Sequence, residues 1–116
     1  MAEDYEVPDW ECFTSEVGKG WAPLCTPILE YIREQNEILP SEERIIVLMI
    51  KKWGGMLNIY VEGGGEELGN RIFQAEKRSQ TTCEECGEDG EERPGNYESN
   101  IYCDKCWEEC LRNGGE

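Results

Sequence analysis

The residues with the clearest chemistry are four cysteines near the C-terminus, arranged as two Cys-x-x-Cys pairs. Cys83 and Cys86 form the first pair, Cys103 and Cys106 form the second, and sixteen residues separate the pairs. A two-residue gap lets one tight turn bring two thiolates to the same ion, and two such pairs complete a tetrahedral shell. The spacing therefore predicts a four-cysteine site for zinc (Zn2+). Disulfides, free thiols and another metal such as iron are the alternatives.

The predicted site is structural rather than catalytic, because four thiolates leave no coordination position for water. Cys110 lies one helical turn after Cys106 and is an alternative fourth ligand, although a small buried apolar role is the simpler interpretation. Cys12 and Cys25 are interpreted as core thiols, with a second site left open. The chain has no histidine, and so lacks the commonest general base and nucleophile partner. We therefore expect no enzymatic activity.

Negative charge is concentrated at the two ends of the chain. The formal net charge is -15, of which residues 1–20 carry -5, residues 21–79 carry -2 and residues 80–116 carry -8. Nucleic-acid binding depends on lysine and arginine side chains that neutralise phosphates, so this balance argues against direct contact with DNA or RNA. It favours a host protein partner with a basic surface, which would be reached at an electrostatically raised rate.

The apolar runs of the chain are too short for a membrane span. None approaches the roughly 20 residues that a helix needs to cross a bilayer. The start of the chain, MAEDYEVPDWE, has neither the basic region nor the apolar stretch of a signal peptide. We therefore expect a cytoplasmic protein without a membrane partner. A reducing cytoplasm favours metal binding or free thiols over disulfides.

Hydrophobic periodicity predicts two helices in the first half of the chain. Apolar residues three and four positions apart indicate a helix over about 21–35, with Pro27 marking a later start or a kink. Ser41 and the acids after it match a helix start, and Gly54 and Gly55 match a helix stop. We predict a helix between them, through Trp53, although the β-branched residues of RIIVLMIKKW also suit a strand.

The following segment, MLNIYVEGGG, alternates apolar and polar residues and predicts one strand. With its neighbour taken as a helix, its pairing partner would be a second copy, the N-terminal arm or the metal module, so a homodimer stays open. A third helical face, formed by Leu68, Ile72, Phe73 and Ala75, predicts a further helix from Glu66 to about Ser79, with acids in its first turn and bases in its last.

The cysteine region predicts a compact metal module. Gly87 permits the tight turn after the first pair, and the second pair runs into the helical pattern WEECLR, which places Cys106 in a first helical turn. Turn residues between the pairs indicate a hairpin. The fold class is therefore α+β, with a small helical core, one or two short strands and a zinc-ribbon or treble-clef-like module. The predicted domains are an acidic arm (1–20), a core (21–80) and the module (81–116).

Three stretches resemble a group of small, mostly uncharacterised phage and prophage proteins. They are GKGWAPLCTPILEYI, IKKWGGMLNIYVEGG and AEKRSQTTCEECGEDG, and the similarity covers about residues 20–106. It departs at Met56, Leu57 and Asn58, where the group has a basic position, and in the acidic ends. The resemblance implies phage origin and a zinc-binding tail, and it implies no settled biochemical role.

Three functions fit these observations. The first is an inhibitor, DNA-mimic or anti-CRISPR-like, that blocks a host defence or nucleic-acid-processing protein by direct contact. The second is an adaptor whose apolar surface, around Trp107 or Trp10, recruits a partner or a second copy. The third is a transcription-related zinc ribbon with a basic spot at Lys51 and Lys52. The first requires displayed carboxylates, expected at Glu84, Glu85, Glu88, Asp89, Glu91 and Glu92.

Overall fold

The computed structural model describes residues 6–13, 17–94 and 99–112, and this part of the chain is α+β, as predicted. It contains three α-helices and two antiparallel two-stranded sheets. Parts of the predicted N-terminal arm and the tip of the predicted hairpin between the cysteine pairs lie outside the described residues.

The first helix, α1, spans Ala22–Ile38 and confirms the helix predicted over about 21–35. Pro23 lies in the first turn, where an N–H group would have no helical partner. The helix continues through Pro27 instead of starting after it. One face of α1 therefore packs into the core along its whole length. The buried residues of that face are Cys25, Ile28, Leu29, Ile32 and Asn36.

The helix predicted over 41–53 is wrong, because most of this segment forms a strand. Strand β1 spans Ile46–Trp53 and pairs antiparallel with β2, which spans Met56–Glu62. Gly54 and Gly55 join the strands with φ angles of 66° and 78°, the left-handed geometry of a two-residue type I′ turn. The two glycines are therefore a hairpin turn and not a helix stop. The predicted strand pairs with the segment immediately before it.

The entry into β1 shows why the local helix signal fails. Ser41–Glu43 forms only a short 3-10 turn. Asn36 of α1 then bonds both backbone groups of Ile45: its side-chain oxygen accepts from the N–H at 2.8 Å and its amide donates to the C=O at 3.0 Å. The chain enters β1 in extended form, and the hairpin buries Ile50 against Ile59 in the core. Tertiary packing of β-branched residues outweighs the capping signal.

The second helix, α2, spans Gly65–Ser79, confirms the helix predicted from Glu66, and closes the outer edge of β2. The placement of Phe73 on its buried face is wrong, since the Phe73 side chain points to solvent and is 59% exposed. The Ser79 hydroxyl accepts a hydrogen bond from the Leu57 N–H at 3.0 Å, and the Glu76 carboxylate accepts one from the Ile59 N–H at 2.8 Å. These N–H groups face away from β1, so α2 satisfies donors that would otherwise pair with another strand.

The C-terminal module follows α2 directly. Strand β3, Glu91–Arg93, pairs antiparallel with β4, Asn100–Tyr102, and helix α3 spans Asp104–Arg112. The cysteine pairs flank this small sheet, one before β3 and one at the start of α3. The order of turn, hairpin, turn and helix is the one predicted from the cysteine spacing.

Candidate metal centre

The four predicted cysteines converge on one point. The sulfur atoms of Cys83, Cys86, Cys103 and Cys106 all lie within 4.8 Å of one another, and the Cys86 and Cys103 sulfurs are 3.6 Å apart. Four thiolates bound to one ion at about 2.3 Å lie roughly 3.8 Å from each other in a tetrahedron. The cluster therefore has the composition and spacing of a four-thiolate metal site.

The first cysteine pair lies on a tight turn that the backbone itself stabilises. The Cys83 N–H donates to the Glu88 carbonyl at 2.7 Å, and the Gly87 N–H donates to the Cys83 carbonyl at 2.9 Å. Gly87 has a φ of 86°, a left-handed conformation that side chains beyond glycine rarely adopt. This geometry turns both thiols of the pair toward the second pair.

The second pair uses a helix start. Cys103 immediately precedes α3, and Cys106 lies in the first turn of that helix, as predicted. The Cys106 N–H points at the Cys103 sulfur at 3.4 Å, and the Trp107 N–H donates to the Cys103 carbonyl at 2.9 Å. Backbone N–H groups at a helix start favour negative charge, so this position suits a thiolate.

Proton affinity is unequal within the cluster. Burial raises the pKa of Cys83, but hydrogen bonds from nearby backbone groups and from Cys86 outweigh it and lower the pKa from 9.0 to about 7. Burial and the neighbouring thiols raise the pKa of Cys106. The Cys83 thiolate therefore forms near neutral pH while Cys106 keeps its proton, because burial and repulsion from the Cys83 charge both disfavour a second thiolate. A bound cation would remove that repulsion.

The first cysteine turn docks on the start of α1. The Gly20 N–H donates to the Glu84 carbonyl at 2.9 Å, and the buried Trp21 indole donates to the Thr82 carbonyl at 2.8 Å. A Cβ on Gly20 would lie 2.1 Å from the Cys83 carbonyl oxygen, so only glycine allows this approach. The Gly-Trp segment, predicted only as a helix start, is the surface that holds the metal module.

Gly20→Ala is expected to lower the free energy of unfolding by at least about 2 kcal/mol, because the added methyl group collides with backbone that cannot move aside. Gly69→Ala is the matched control: Gly69 lies in α2 with open space around its Cα, so alanine there should stabilise the helix by about 1 kcal/mol. Urea unfolding of both variants measures the difference. Equal stability of the two would contradict the docking contact.

Glu84 is not a displayed acid, contrary to its predicted role. It is buried between the cysteine turn and β1, where its carboxylate lies 3.1 Å from the Lys52 ammonium and accepts from the Ile101 N–H at 2.7 Å. The side chains of Lys52 and Glu84 are 13% and 11% exposed, and Lys52 also contacts the Asn100 side chain. Lys52 therefore joins the hairpin to the metal module. Its charge is neutralised by Glu84, so of the two lysines in the predicted basic spot only Lys51 still contributes positive charge.

The remaining predicted acids are on the surface. Five of the six carboxylates expected on the module are exposed, and α3 adds three more. Arg93 offsets one of these, since its guanidinium lies 2.7 Å from the Asp104 carboxylate. The described module thus presents a dense set of solvent-facing carboxylates around the cysteine cluster. They are Glu85, Glu88, Asp89, Glu91, Glu92, Asp104, Glu108 and Glu109.

The other three cysteines stay outside the cluster. Cys25 is buried in the core, as predicted, and burial raises its pKa to about 12. Cys12 is exposed, so its interpretation as a core thiol is wrong. Cys110 is partly buried, and no metal-ligand group within the described ranges includes any of the three.

The two tryptophans predicted to form an apolar docking surface both contact other residues. The Trp107 ring stacks on Tyr102 with 6.2 Å between ring centroids, and the Arg93 guanidinium lies over it at 5.7 Å. Trp10 packs against the hydrophobic core. The widely exposed tryptophan is Trp53, which is 67% accessible and lies at the end of β1.

Comparison with protein-family models, curated proteins and solved structures finds no match for this chain. In the described part of the chain, each helix is too short or too polar to span a lipid bilayer.

Proposed function

We propose that the cysteine cluster holds one zinc ion in a closed, structural site. Four thiolates at tetrahedral spacing are the ligand set that zinc favours, and they leave no position for a catalytic water. The ion ties the first cysteine turn, which docks on α1, to the helix α3. A zinc ion with four thiolates carries a formal charge of -2, so it adds to the negative charge of the module.

Zinc binding should release protons, and more of them at lower pH. At about pH 8, above the pKa of Cys83, that thiol is already ionised, so binding displaces about one proton fewer than at about pH 6. Zinc affinity should therefore fall with acidification, and fall more steeply below pH 7. Calorimetry in buffers of different ionisation enthalpy counts the protons. Release of fewer than two protons would contradict four thiolate ligands, and a release that does not change with pH would contradict the lowered pKa of Cys83.

We further propose that the module inhibits a host defence or nucleic-acid-processing protein by occupying a basic groove. The observation that carries this proposal is the set of exposed carboxylates on a module fixed by buried contacts. A rigid array of carboxylates meets lysine and arginine side chains that otherwise bind phosphates. The phage origin implied by the sequence resemblance supplies a setting in which such an inhibitor is useful.

Exposed carboxylates bind a basic partner more tightly when the backbone that carries them is fixed. Flexible acids lose side-chain entropy when they pair, and that cost cancels much of the gain from an exposed ion pair. Here the turn that carries Glu85 and Glu88 is bonded to Gly20, Trp21 and Lys52. The turn therefore loses less conformational entropy on binding, which favours association with a complementary basic surface.

The experiment is affinity capture from host lysate with mass spectrometry, followed by titration of the recovered partner. Replacing Glu85, Glu88 and Glu91 with glutamine should weaken binding by about ten- to a hundredfold, as expected for three surface charges of about 0.5 to 1 kcal/mol each. The matched control carries the same charge change on α1, where Glu30, Glu34 and Glu37 are also exposed. Its binding should change far less.

Salt and competitor DNA distinguish binding in a basic, phosphate-binding groove from binding elsewhere on the partner. Affinity should fall steeply with salt, and a DNA duplex should compete for the same groove on the partner. Equal loss of binding in the two triple variants would show that net charge, rather than the module surface, is responsible. A partner that binds independently of salt would contradict the proposal.

A further inference from the structure

A groove between α1 and α2 lies on the flank of α1 that the N-terminal arm does not cover. Residues three and four apart share one face of a helix, so Thr26, Leu29 and Arg33 form one flank of α1. The described part of the arm lies along that flank, where the Asp9 carboxylate is 3.0 Å from the Arg33 guanidinium. The groove, on the other flank, has a volume of about 420 Å³ and a largely apolar floor. Its apolar residues are Pro23, Leu24, Pro27, Ile28 and Ala75.

The rim of this groove is positively charged. Arg71 and Arg78, both exposed on α2, line it together with Gln74. No carboxylate of the described residues lines it, whereas three other surface grooves in the same part of the chain each contain three carboxylates. In a chain of net charge -15, an anionic ligand therefore meets two cations here beside an apolar floor.

Both guanidinium groups keep hydrogen-bond donors for a ligand. Arg71 is held by two contacts: its Nε donates to the Glu67 carboxylate at 2.8 Å, and its guanidinium carbon lies 4.1 Å from the centroid of the Tyr31 ring. Its two terminal nitrogens donate to no acceptor among residues 6–13, 17–94 and 99–112. The Arg78 guanidinium makes no ion pair within the same ranges. A bound carboxylate would therefore gain charge-assisted hydrogen bonds without breaking an existing one.

The spacing of the two arginines matches a helical partner. Arg71 and Arg78 are seven residues apart, so they lie on the same side of α2, about 10.5 Å apart along its axis. Two carboxylates seven residues apart on a second helix have the same spacing, and an apolar residue between them lies on the same face. In an extended chain, side chains on one face are about 6.8 or about 13.6 Å apart, which matches less well.

We infer that the groove between α1 and α2 binds an acidic amphipathic helix of a partner protein. The apolar residue of that helix packs on the floor at Leu24 and Ala75, and its two carboxylates pair with Arg71 and Arg78. The contact is smaller than a standard protein interface, so the binding is weak and reversible. It does not rest on the proposed inhibition, in which the carboxylates of the metal module meet a basic surface. The two sites take partners of opposite charge.

The test is an NMR titration of the isotope-labelled, metal-loaded protein with a designed helical peptide. The peptide is a capped, alanine-rich chain of about 20 residues, with two glutamates seven positions apart and a leucine four positions after the first. The backbone amide signals of Gln74, Ala75 and Arg78 should shift as peptide is added. A control peptide with glutamine in place of both glutamates should bind about tenfold more weakly, because it loses two ion pairs. Circular dichroism verifies that both peptides are helical.

Substitutions on α2 separate the groove from net charge. Arg78→Gln should weaken peptide binding about two- to fivefold, and Arg71→Gln combined with Arg78→Gln should weaken it about tenfold. Lys77→Gln is the matched control, because Lys77 is the neighbouring exposed residue of α2 and does not line the groove. The same charge change there should alter the affinity far less. Circular dichroism and metal content of each variant verify that the fold is retained.

Four results would overturn the inference. Groove amides that do not shift at millimolar peptide, equal binding of the two peptides, or equal weakening by Arg78→Gln and Lys77→Gln would each do so. The fourth is a shift of the groove amides when the protein alone is concentrated. That result would make a second copy the occupant, through α3 with its acids and its exposed Leu111. The glutamine variants of the module leave the groove unaltered, so the groove and the proposed inhibition can fail independently.

Discussion

Cys86→Ser is expected to weaken zinc binding at least a hundredfold and to loosen the C-terminal module from the core. Zinc contributes about 10 to 16 kcal/mol to the folding of small zinc peptides, so one of four ligands accounts for about 3 kcal/mol, or at least a hundredfold in affinity. Cys86 is the most informative of the four ligands to replace because its side chain is exposed, so the change leaves no cavity in the core. Loss of stability then reports the metal alone.

Cys110→Ser is the control for that experiment. Cys110 lies one helical turn beyond Cys106 on α3 but outside the cluster. Its replacement should leave one zinc per chain and a stability within about 0.5 kcal/mol of the unaltered protein. Zinc content by elemental analysis and thermal unfolding measure both variants. Equal zinc loss in the two would place Cys110 among the ligands and contradict the assignment of four.

Glu84→Ala is expected to lower the free energy of unfolding by about 3 to 5 kcal/mol, even though Glu84 binds no metal. The change leaves the Lys52 ammonium nearly buried without its carboxylate and removes the acceptor of the Ile101 N–H. Removing one partner of a buried ion pair costs this much because the other charge stays in a poorly solvated place. Urea unfolding measures it.

Two companion variants separate the ion pair from general acidity. Glu85→Ala removes the neighbouring carboxylate, which is exposed, and should change stability by less than about 0.5 kcal/mol. In the double variant Glu84→Ala with Lys52→Met, no uncompensated charge remains, so part of the loss should be recovered. Equal effects of the Glu84 and Glu85 changes, or no recovery in the double variant, would contradict the buried pair.

The cysteine cluster can be predicted from the sequence because each half of it is determined by a few neighbouring residues. Each Cys-x-x-Cys pair sets its own turn, and four soft ligands have few other uses in one small chain. Helices α1 and α2 follow from the spacing of their buried residues, and the turn at Gly87 follows from the conformational freedom of glycine. In each case the determinant lies within a few residues of its effect.

The β1–β2 hairpin and the buried position of Glu84 depend instead on contacts between segments that are distant in the sequence. The stretch RIIVLMIKKW fits either a helix or a strand on its own, and its pairing with β2 decides the matter. Two signals pointed to the correct answer: its β-branched residues, and the Gly54-Gly55 pair between two apolar runs. Glu84 resembled its exposed neighbours in sequence, and only the approach of Lys52, thirty-two residues away, buries it. Periodicity carries no information about such a partner.

Above all, we propose that four cysteine thiolates hold a zinc ion and so fix the acidic module to the core. Zinc K-edge X-ray absorption of the protein purified without added chelator tests it most directly. We expect one zinc per chain with four sulfur neighbours at about 2.3 Å and no nitrogen or oxygen ligand. A mixed sulfur and oxygen shell, or a folded protein that contains no metal, would contradict it.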